Sequence, residues 1–174
     1  MKFYANPYNI GATGFYFESN DEFLEKAAAL RDDCGNVVEE FEIDVIDGTK
    51  EELELVNAIG IDQNNIEAVI EYIESSDEND WPALFFLMDN HRVQSFEDAN
   101  DKVEDVCITE SRLIDAASEL FDECYLSEIP KQSRGLIERY IDYEAFARDC
   151  EIGGDMKEFE FGGKTYTCTN ASCL

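Results

Sequence analysis

The sequence is poor in basic side chains: 13 lysines and arginines stand against 41 aspartates and glutamates in 174 residues, giving a formal net charge of −28. A chain with this charge repels phosphates, which excludes nucleic acids and anionic membranes as main partners. Long hydrophobic runs are also missing, since the longest, residues 82–88, is too short to span a bilayer. The first residues resemble a strand and not the apolar region of a signal peptide. We therefore expect a soluble, cytoplasmic protein.

The motifs that usually mark catalysis are missing as well. The sequence has no phosphate-binding glycine loop, no dinucleotide-binding GxGxxG, no HExxH and no GxSxG. The single histidine, His91, lies beside Asp89 and Arg92, and we interpret it as a surface residue at a helix end, not as a general base. Neither the spacing of a calcium loop nor clustered zinc ligands occur. We expect no catalytic residue, no metal and no cofactor, and hence not an enzyme.

Six cysteines are present, at wide and irregular spacing and without a CxxC motif. Because 44% of the residues are apolar, the chain can fold without disulfides. We therefore expect reduced thiols that lie mostly in the core. Cys168 and Cys173 lie close together near the C-terminus, and theirs is the pair whose burial and oxidation state should be compared with the structure.

Periodicity of the apolar residues predicts an α+β fold. Alternation indicates strands over 2–8, 15–17 and 41–45, and a further strand over 103–108. Capping boxes at Ser19 and Thr49 begin helices, the first ending near Gly35, and a Gly-Gly turn joins the strands of a closing hairpin. Helical spacing, or residues typical of a helix start, indicate further helices in the following segments: 66–74, 80–90, 95–98, 113–121, 132–140 and 142–150.

We predict an elongated chain of three small modules: an antiparallel sheet with a helix in 1–61, a helical module in 62–103, and an α+β module in 104–174. Their formal charges are −10, −9 and −9, so the charge is spread along the chain and is not gathered in an acidic tail. A solvated surface explains most individual carboxylates, and halophilic adaptation is a second ordinary explanation. Imitation of DNA is a third. Duplex DNA carries one charge per ~1.7 Å, so 28 charges correspond to about 48 Å, or about 14 base pairs.

Residues 126–130 and 136–152 resemble the ArdA antirestriction family. The resemblance is strongest in the core Tyr-Ile-Asp-Tyr-Glu-Ala-Phe-x-Arg-Asp-x-Glu of residues 140–151. It extends more weakly over the N-terminal strand–helix–strand, which ends at residues 39–44. The middle segment is similar in its helical, acidic character.

The resemblance implies an acidic homodimer, elongated and with three domains, that is carried by a mobile element or phage and mimics bent B-form DNA. It implies binding in the DNA groove of a type I restriction–modification enzyme, that is, its methyltransferase core with the specificity subunit, in the cytoplasm of a bacterial host. The C-terminal domain would make the dimer. A rival interpretation is an acidic interaction or regulatory module that binds another basic protein, such as a CRISPR effector, a histone-like protein or a repressor.

The carboxylates best placed to imitate phosphates lie on predicted strand and helix faces. They are Glu40, Glu42, Asp44, Glu67, Glu71, Glu74, Asp77, Glu78, Asp98, Asp101, Glu104, Asp105, Asp115, Glu119, Asp122 and Glu123. The expectation concerns the array, and single substitutions should do little.

Within the family-like motif, the residues expected to support the dimer are Tyr140, Asp142, Tyr143, Phe146, Arg148 and Asp149. The three aromatic residues recur at steps of three, which favours a packed helix face over direct contact with the target. We interpret Arg139 and Arg148 as internal partners of Asp142, Glu144 or Asp149.

Overall fold

The computed structural model of the chain describes residues 1–90 and 92–174, so His91 and the role predicted for it lie outside the described residues. The fold is α+β, as predicted, with eight α-helices in the described part and two three-stranded antiparallel sheets. The chain forms two compact units, Met1–Asn100 and Asp101–Leu174. The finer division into three modules stays a prediction. None of the helices in the described ranges is long and apolar enough to span a membrane.

The first unit contains a sheet of strand order β2-β1-β3, built from Lys2–Pro7 (β1), Phe15–Phe17 (β2) and Phe41–Asp47 (β3). β1 is the central strand and pairs antiparallel with both neighbours. Alternation in the sequence gives the sheet one apolar and one polar face. The apolar face carries the buried side chains of Phe3, Phe17 and their neighbours, which confirms the predicted strand pattern.

Five helices complete this unit: Asn20–Ala29 (α1), Lys50–Ile59 (α2), Ile66–Ser75 (α3), Trp81–Asp89 (α4) and Phe96–Lys102 (α5), the last of which crosses the unit boundary. The capping box at Thr49 is present in full. Ser19 caps α1 by accepting a hydrogen bond from the amide of Glu22, but the Glu22 carboxylate bonds the amide of Glu18, so that box is incomplete. α1 ends at residue 29, earlier than predicted, because the chain turns extended at Leu30.

One core cluster of the first unit joins the sheet to α1 and α3. Residues of α3 pack in the same buried cluster as the strands. The cluster therefore contains residues of both the first and the second predicted modules. Its buried members are Phe3, Ala5, Phe17, Phe23, Val38, Phe41, Ile43, Ile66 and Ile70.

The second unit has a sheet of order β4-β6-β5, made of Ile108–Thr109 (β4), Lys157–Phe161 (β5) and Lys164–Cys168 (β6). Its helices are Leu113–Cys124 (α6), Lys131–Ile137 (α7) and Tyr143–Gly153 (α8). The predicted C-terminal hairpin is confirmed, and both glycines of its turn have positive φ. Ala117, Ala147, Cys150 and Met156 form a buried cluster that packs α6 against α8.

The strand predicted over 103–108 is wrong in most of its length. Val103–Asp105 is a 3-10 turn, and β4 has only two residues. The side chain of Asn170 accepts a hydrogen bond from the amide of Cys107 and donates one to the carbonyl of Asp105. It thus satisfies backbone groups that a longer strand would have paired.

None of the six cysteines forms a disulfide in the described structure. The expectation that most lie in the core is wrong, because only Cys150 and Cys168 are buried. Burial raises the pKa of the Cys150 thiol. Cys168 and Cys173, the pair singled out in the sequence, differ in burial, the first inside the sheet and the second exposed.

Candidate partner-binding surface

Carboxylates occupy the outer face of the first sheet and the approach to it. Glu42 and Asp44 are exposed on β3, and Glu40 is exposed just before the strand. The residues between them, Phe41 and Ile43, are buried in the core. Strict alternation therefore fixes the acidic side chains outward, because a shift of one residue would bury charge.

α3 continues the pattern with helical spacing. Its buried side Ile66, Val69 and Ile70 faces the core, so Glu67, Glu71 and Glu74 on the opposite side are exposed, as their spacing indicates. The next candidates, Asp77 and Glu78, lie in and beside a 3-10 turn that follows the helix and are also exposed.

The remaining candidates lie on helical segments at the end of the first unit and in the second. Asp98 and Asp101 belong to α5, and Glu104 and Asp105 to the 3-10 turn after it. All are exposed, as are the four candidates on α6, which are Asp115, Glu119, Asp122 and Glu123.

Three of the candidate carboxylates have partners within the chain. Asp77 accepts hydrogen bonds from Asn79, Asp115 pairs with Arg112 at 3.0 Å, and Asp122 accepts from the hydroxyl of Tyr143. The other candidate carboxylates make no ion pair or hydrogen bond with any residue in the described ranges. Their oxygens are open to cations of a partner.

Exposure is general among the acidic residues. In the described part of the chain, Thr167 is the buried polar residue and no aspartate or glutamate is buried. Formal charge is −19 for residues 1–100 and −9 for residues 101–174. The first unit therefore carries about two thirds of the net charge. Within residues 1–90 and 92–174, His, Cys, Asp and Glu side chains form no cluster fit to hold a metal ion.

The family-like motif begins with a helix cap. Asp142 accepts a hydrogen bond from the amide of Ala145 at 2.9 Å and so begins α8. Tyr143 and Phe146 are half-buried, and their rings pack against Phe121 of α6 at 5.7 and 5.0 Å between centroids. The packed helix face is confirmed for these two residues. Tyr140 does not belong to it, because it lies in a preceding 3-10 turn and is 83% exposed.

The internal ion pairs predicted for the motif are wrong. Neither Arg139 nor Arg148 forms an ion pair with a described carboxylate. The Asp142 carboxylate is engaged in capping, and Arg148 and Asp149 are consecutive on α8, so their side chains diverge. Both are exposed.

Comparison with known protein families gives a match over most of the chain. A family model described as the antirestriction protein ArdA matches residues 13–164. The chain belongs to the ArdA antirestriction protein family. No curated protein and no solved structure matches it. Family membership implies an antirestriction function, directed in general against restriction enzymes.

The ArdA match contains every carboxylate of the candidate array and the whole motif of residues 140–151. It does not contain β1, although β1 is the middle strand of the first sheet. The ArdA-like portion of this sheet thus depends on a strand outside the matched span.

Sequence reasoning missed two tyrosines that belong to this surface. In the register of the sheet, Tyr4 of β1 lies between Tyr16 of β2 and Asp44 of β3. These three side chains form one row on the outer face of this ArdA-family sheet. Alternation along each strand could have placed each side chain outward, but it could not have shown which ones share a row.

Proposed function

We propose that this chain protects mobile-element or phage DNA by imitating B-form DNA and occupying the DNA groove of type I restriction–modification enzymes. The target surface is the methyltransferase core with its specificity subunit. Inhibition is competitive binding and requires no catalysis and no cofactor of the inhibitor. The site of action is the cytoplasm of the bacterial host, where these enzymes meet incoming DNA.

The observation that carries the proposal is the exposed carboxylate array. All sixteen candidate side chains are exposed, and most have no cation of their own chain near them. Fixed carboxylates on strands and helices present negative charge without the conformational cost of ordering a flexible tail. Membership in the ArdA family supports the same conclusion independently.

The physical basis is charge complementarity. A groove that binds DNA is lined with lysine and arginine, and its affinity for phosphates is strongly salt-dependent. Carboxylates replace the phosphates in that interaction. Since they present no base edges, inhibition should not depend on the recognition sequence of the enzyme.

We further propose a homodimer formed through the second unit. Large apolar side chains are exposed on α7 and in the 3-10 turn that follows it: Leu136, Ile137 and Tyr140. Three exposed apolar side chains within five residues of sequence favour a contact with another protein. Asp substitutions at Tyr143 or Phe146 would also break the packing of α8 on α6. Tyr140 offers a cleaner probe.

Tyr140→Asp should shift the protein from dimer to monomer in sedimentation velocity, because a carboxylate would be buried in an apolar contact. The matched control is Tyr8→Asp, which alters an exposed tyrosine of the first unit and should leave the dimer intact. A Tyr140→Asp variant that stays dimeric would contradict this interface.

The function itself is tested by competition. A purified type I methyltransferase core on labelled DNA is titrated with the chain at several salt concentrations. Displacement at near-stoichiometric amounts, weaker at higher salt, supports the proposal. Absence of displacement for enzymes of several recognition types would overturn it, and would favour the rival in which the acidic surface binds a different basic protein.

A further inference from the structure

The outer face of the first sheet combines aromatic and acidic side chains. Tyr4 and Tyr16 lie side by side, and Asp44 completes their row. Glu42 lies one row away, opposite Asn6. Adjacent strands in a sheet are about 4.8 Å apart. Tyr4, on the central strand, is therefore one strand spacing from Tyr16 on one side and from Asp44 on the other, within reach of a single extended side chain.

The two rings form a fixed pair. Their centroids are 4.8 Å apart at an interplanar angle of 56°. Tyr4 passes so close to Gly14 that a Cβ there would lie 2.6 Å from the ring. Only glycine leaves room for it. Tyr16, the outer member, is 51% exposed and can receive a ligand.

A cation of the chain already lies over the outer ring of this pair, that of Tyr16. The ammonium of Lys2 lies 4.9 Å from the centroid of the Tyr16 ring. This distance is within the range of a cation–π interaction. The contact with Lys2 thus shows that the Tyr16 ring can bind a cation.

Further carboxylates lie on the other side of Lys2. A cleft of about 520 Å³ is lined by Lys2, Glu18, Asp47 and Glu52. Along the strands, the row of the two tyrosines and Asp44 consequently lies between this cleft, at Lys2 and Asp47, and Glu42. A partner placed over the rings would meet carboxylates in both directions.

Arginine matches this arrangement better than lysine. Its planar guanidinium stacks on an aromatic ring and, from the same group, donates paired hydrogen bonds to a carboxylate. The lysine ammonium is compact and strongly hydrated, so it gains less from stacking. A surface of carboxylates alone would attract both cations by charge and discriminate less between them.

We infer that the outer sheet face formed by Tyr4, Tyr16, Glu42 and Asp44 binds arginine side chains of the basic partner, with Lys2 as an internal competitor for the Tyr16 ring. The inference deepens the proposed function and rests on it for the identity of the partner. The arginine preference itself can be measured without any restriction enzyme.

The experiment compares a hexa-arginine with a hexa-lysine peptide by calorimetric titration of the full chain at fixed salt. The wild type should bind the arginine peptide about three- to fivefold more tightly. Tyr16→Leu should bring the two affinities together, whereas Tyr16→Phe, which keeps the ring, should retain the difference.

Lys2→Gln should strengthen arginine binding more than Lys50→Gln, which removes the same charge from an exposed lysine paired with Glu54 on α2. In the Tyr16→Leu background, the two glutamine substitutions should become equal. Lys2→Gln and Lys50→Gln can also be compared in the wild type. That comparison therefore does not depend on the Tyr16→Leu variant.

Equal affinity of the wild type for both peptides would overturn the inference, as would an arginine preference that survives Tyr16→Leu. If the arginine preference holds but DNA is not displaced from type I enzymes, the sheet face is retained and the proposed function fails. If DNA is displaced but the arginine preference is absent, the proposed function is retained and the arginine-binding sheet face is rejected.

Discussion

The hydroxyl of Tyr143 donates a hydrogen bond to Asp122, and this contact changes how the tyrosine titrates. The hydrogen bond, with desolvation and the nearby negative charge, raises the pKa of Tyr143 to about 12. The contact joins α6 to the start of α8, next to the aromatic packing of Phe121 and Phe146. A residue of the proposed charge array therefore also has a structural role.

Replacing Asp122 by Asn should lower the pKa of Tyr143 towards its ordinary value of 10.0, because the charged acceptor is lost. The measurement is ultraviolet absorbance of tyrosinate against pH, with Tyr143→Phe identifying the late-titrating group by difference. An unchanged late titration in Asp122→Asn would contradict the assignment.

The same shift sets a pH dependence of stability. A pKa raised in the folded state gives stability that is complete below the unfolded value of 10.0 and is lost as the pH rises to about 12. The free energy of unfolding of the wild type should therefore fall through this window more than that of Tyr143→Phe.

At the scale of single elements, α6 begins without a capping side chain of its own. Arg112 precedes the helix and provides no cap. The carboxylate of Glu158, on β5, accepts a hydrogen bond from the amide of Leu113 at 2.6 Å. A carboxylate at this position also interacts favourably with the helix dipole.

Glu158→Ala should lower the free energy of unfolding by about 1 kcal/mol, since the cap is lost. Urea unfolding followed by circular dichroism measures the change. Glu160→Ala removes an exposed carboxylate of the same strand, and should change stability by less than about 0.5 kcal/mol. Equal effects of the two substitutions would show that Glu158 does not act as a cap.

Local pattern predicted most elements, and contacts distant in sequence explain the failures. The apolar faces of β3, α3 and α6 repeat within each segment, so their existence and their exposed carboxylates could be predicted. Glu158 reaches Leu113 across 45 residues, and Asn170 reaches Cys107 across 63. Neither contact has a local signal, and the same is true of the register that brings Tyr4 beside Tyr16.

At the scale of the whole molecule, the proposed surface is distributed over many carboxylates. A partner that contacts many weakly screened charges loses only a small part of its affinity when one is removed. The position of the neutralised carboxylates should nevertheless affect the loss of affinity, because a DNA-binding groove would contact only one side of the protein.

Neutralising Glu67, Glu71 and Glu74 together by Gln should weaken inhibition of a type I enzyme by about tenfold or more and reduce its salt dependence. The control neutralises Glu144, Glu151 and Glu160, which are exposed and lie outside the proposed array. Competition titrations at two salt concentrations compare the variants. Equal losses would mean that total charge, and not the array, determines inhibition.

Salt should have opposite effects on binding and on stability. With a net charge of −28, the folded chain is destabilised by self-repulsion that salt screens over about 10 Å at 0.1 M. Thermal unfolding should therefore shift upward by several degrees between 10 mM and 500 mM NaCl, while affinity for the enzyme falls. A melting temperature that does not change with salt would contradict the destabilisation by self-repulsion.

The central position of β1 limits how the protein can be shortened. A chain cut back to the span that matches the family, residues 13–164, loses the strand between β2 and β3. Both remaining strands would then have unpaired backbone groups beside an exposed cluster of phenylalanines. Exposed strand edges of this kind pair with the strands of other molecules. We therefore expect a chain that lacks its first twelve residues to aggregate, because those residues supply β1, the strand that also carries Tyr4 of the arginine-binding face.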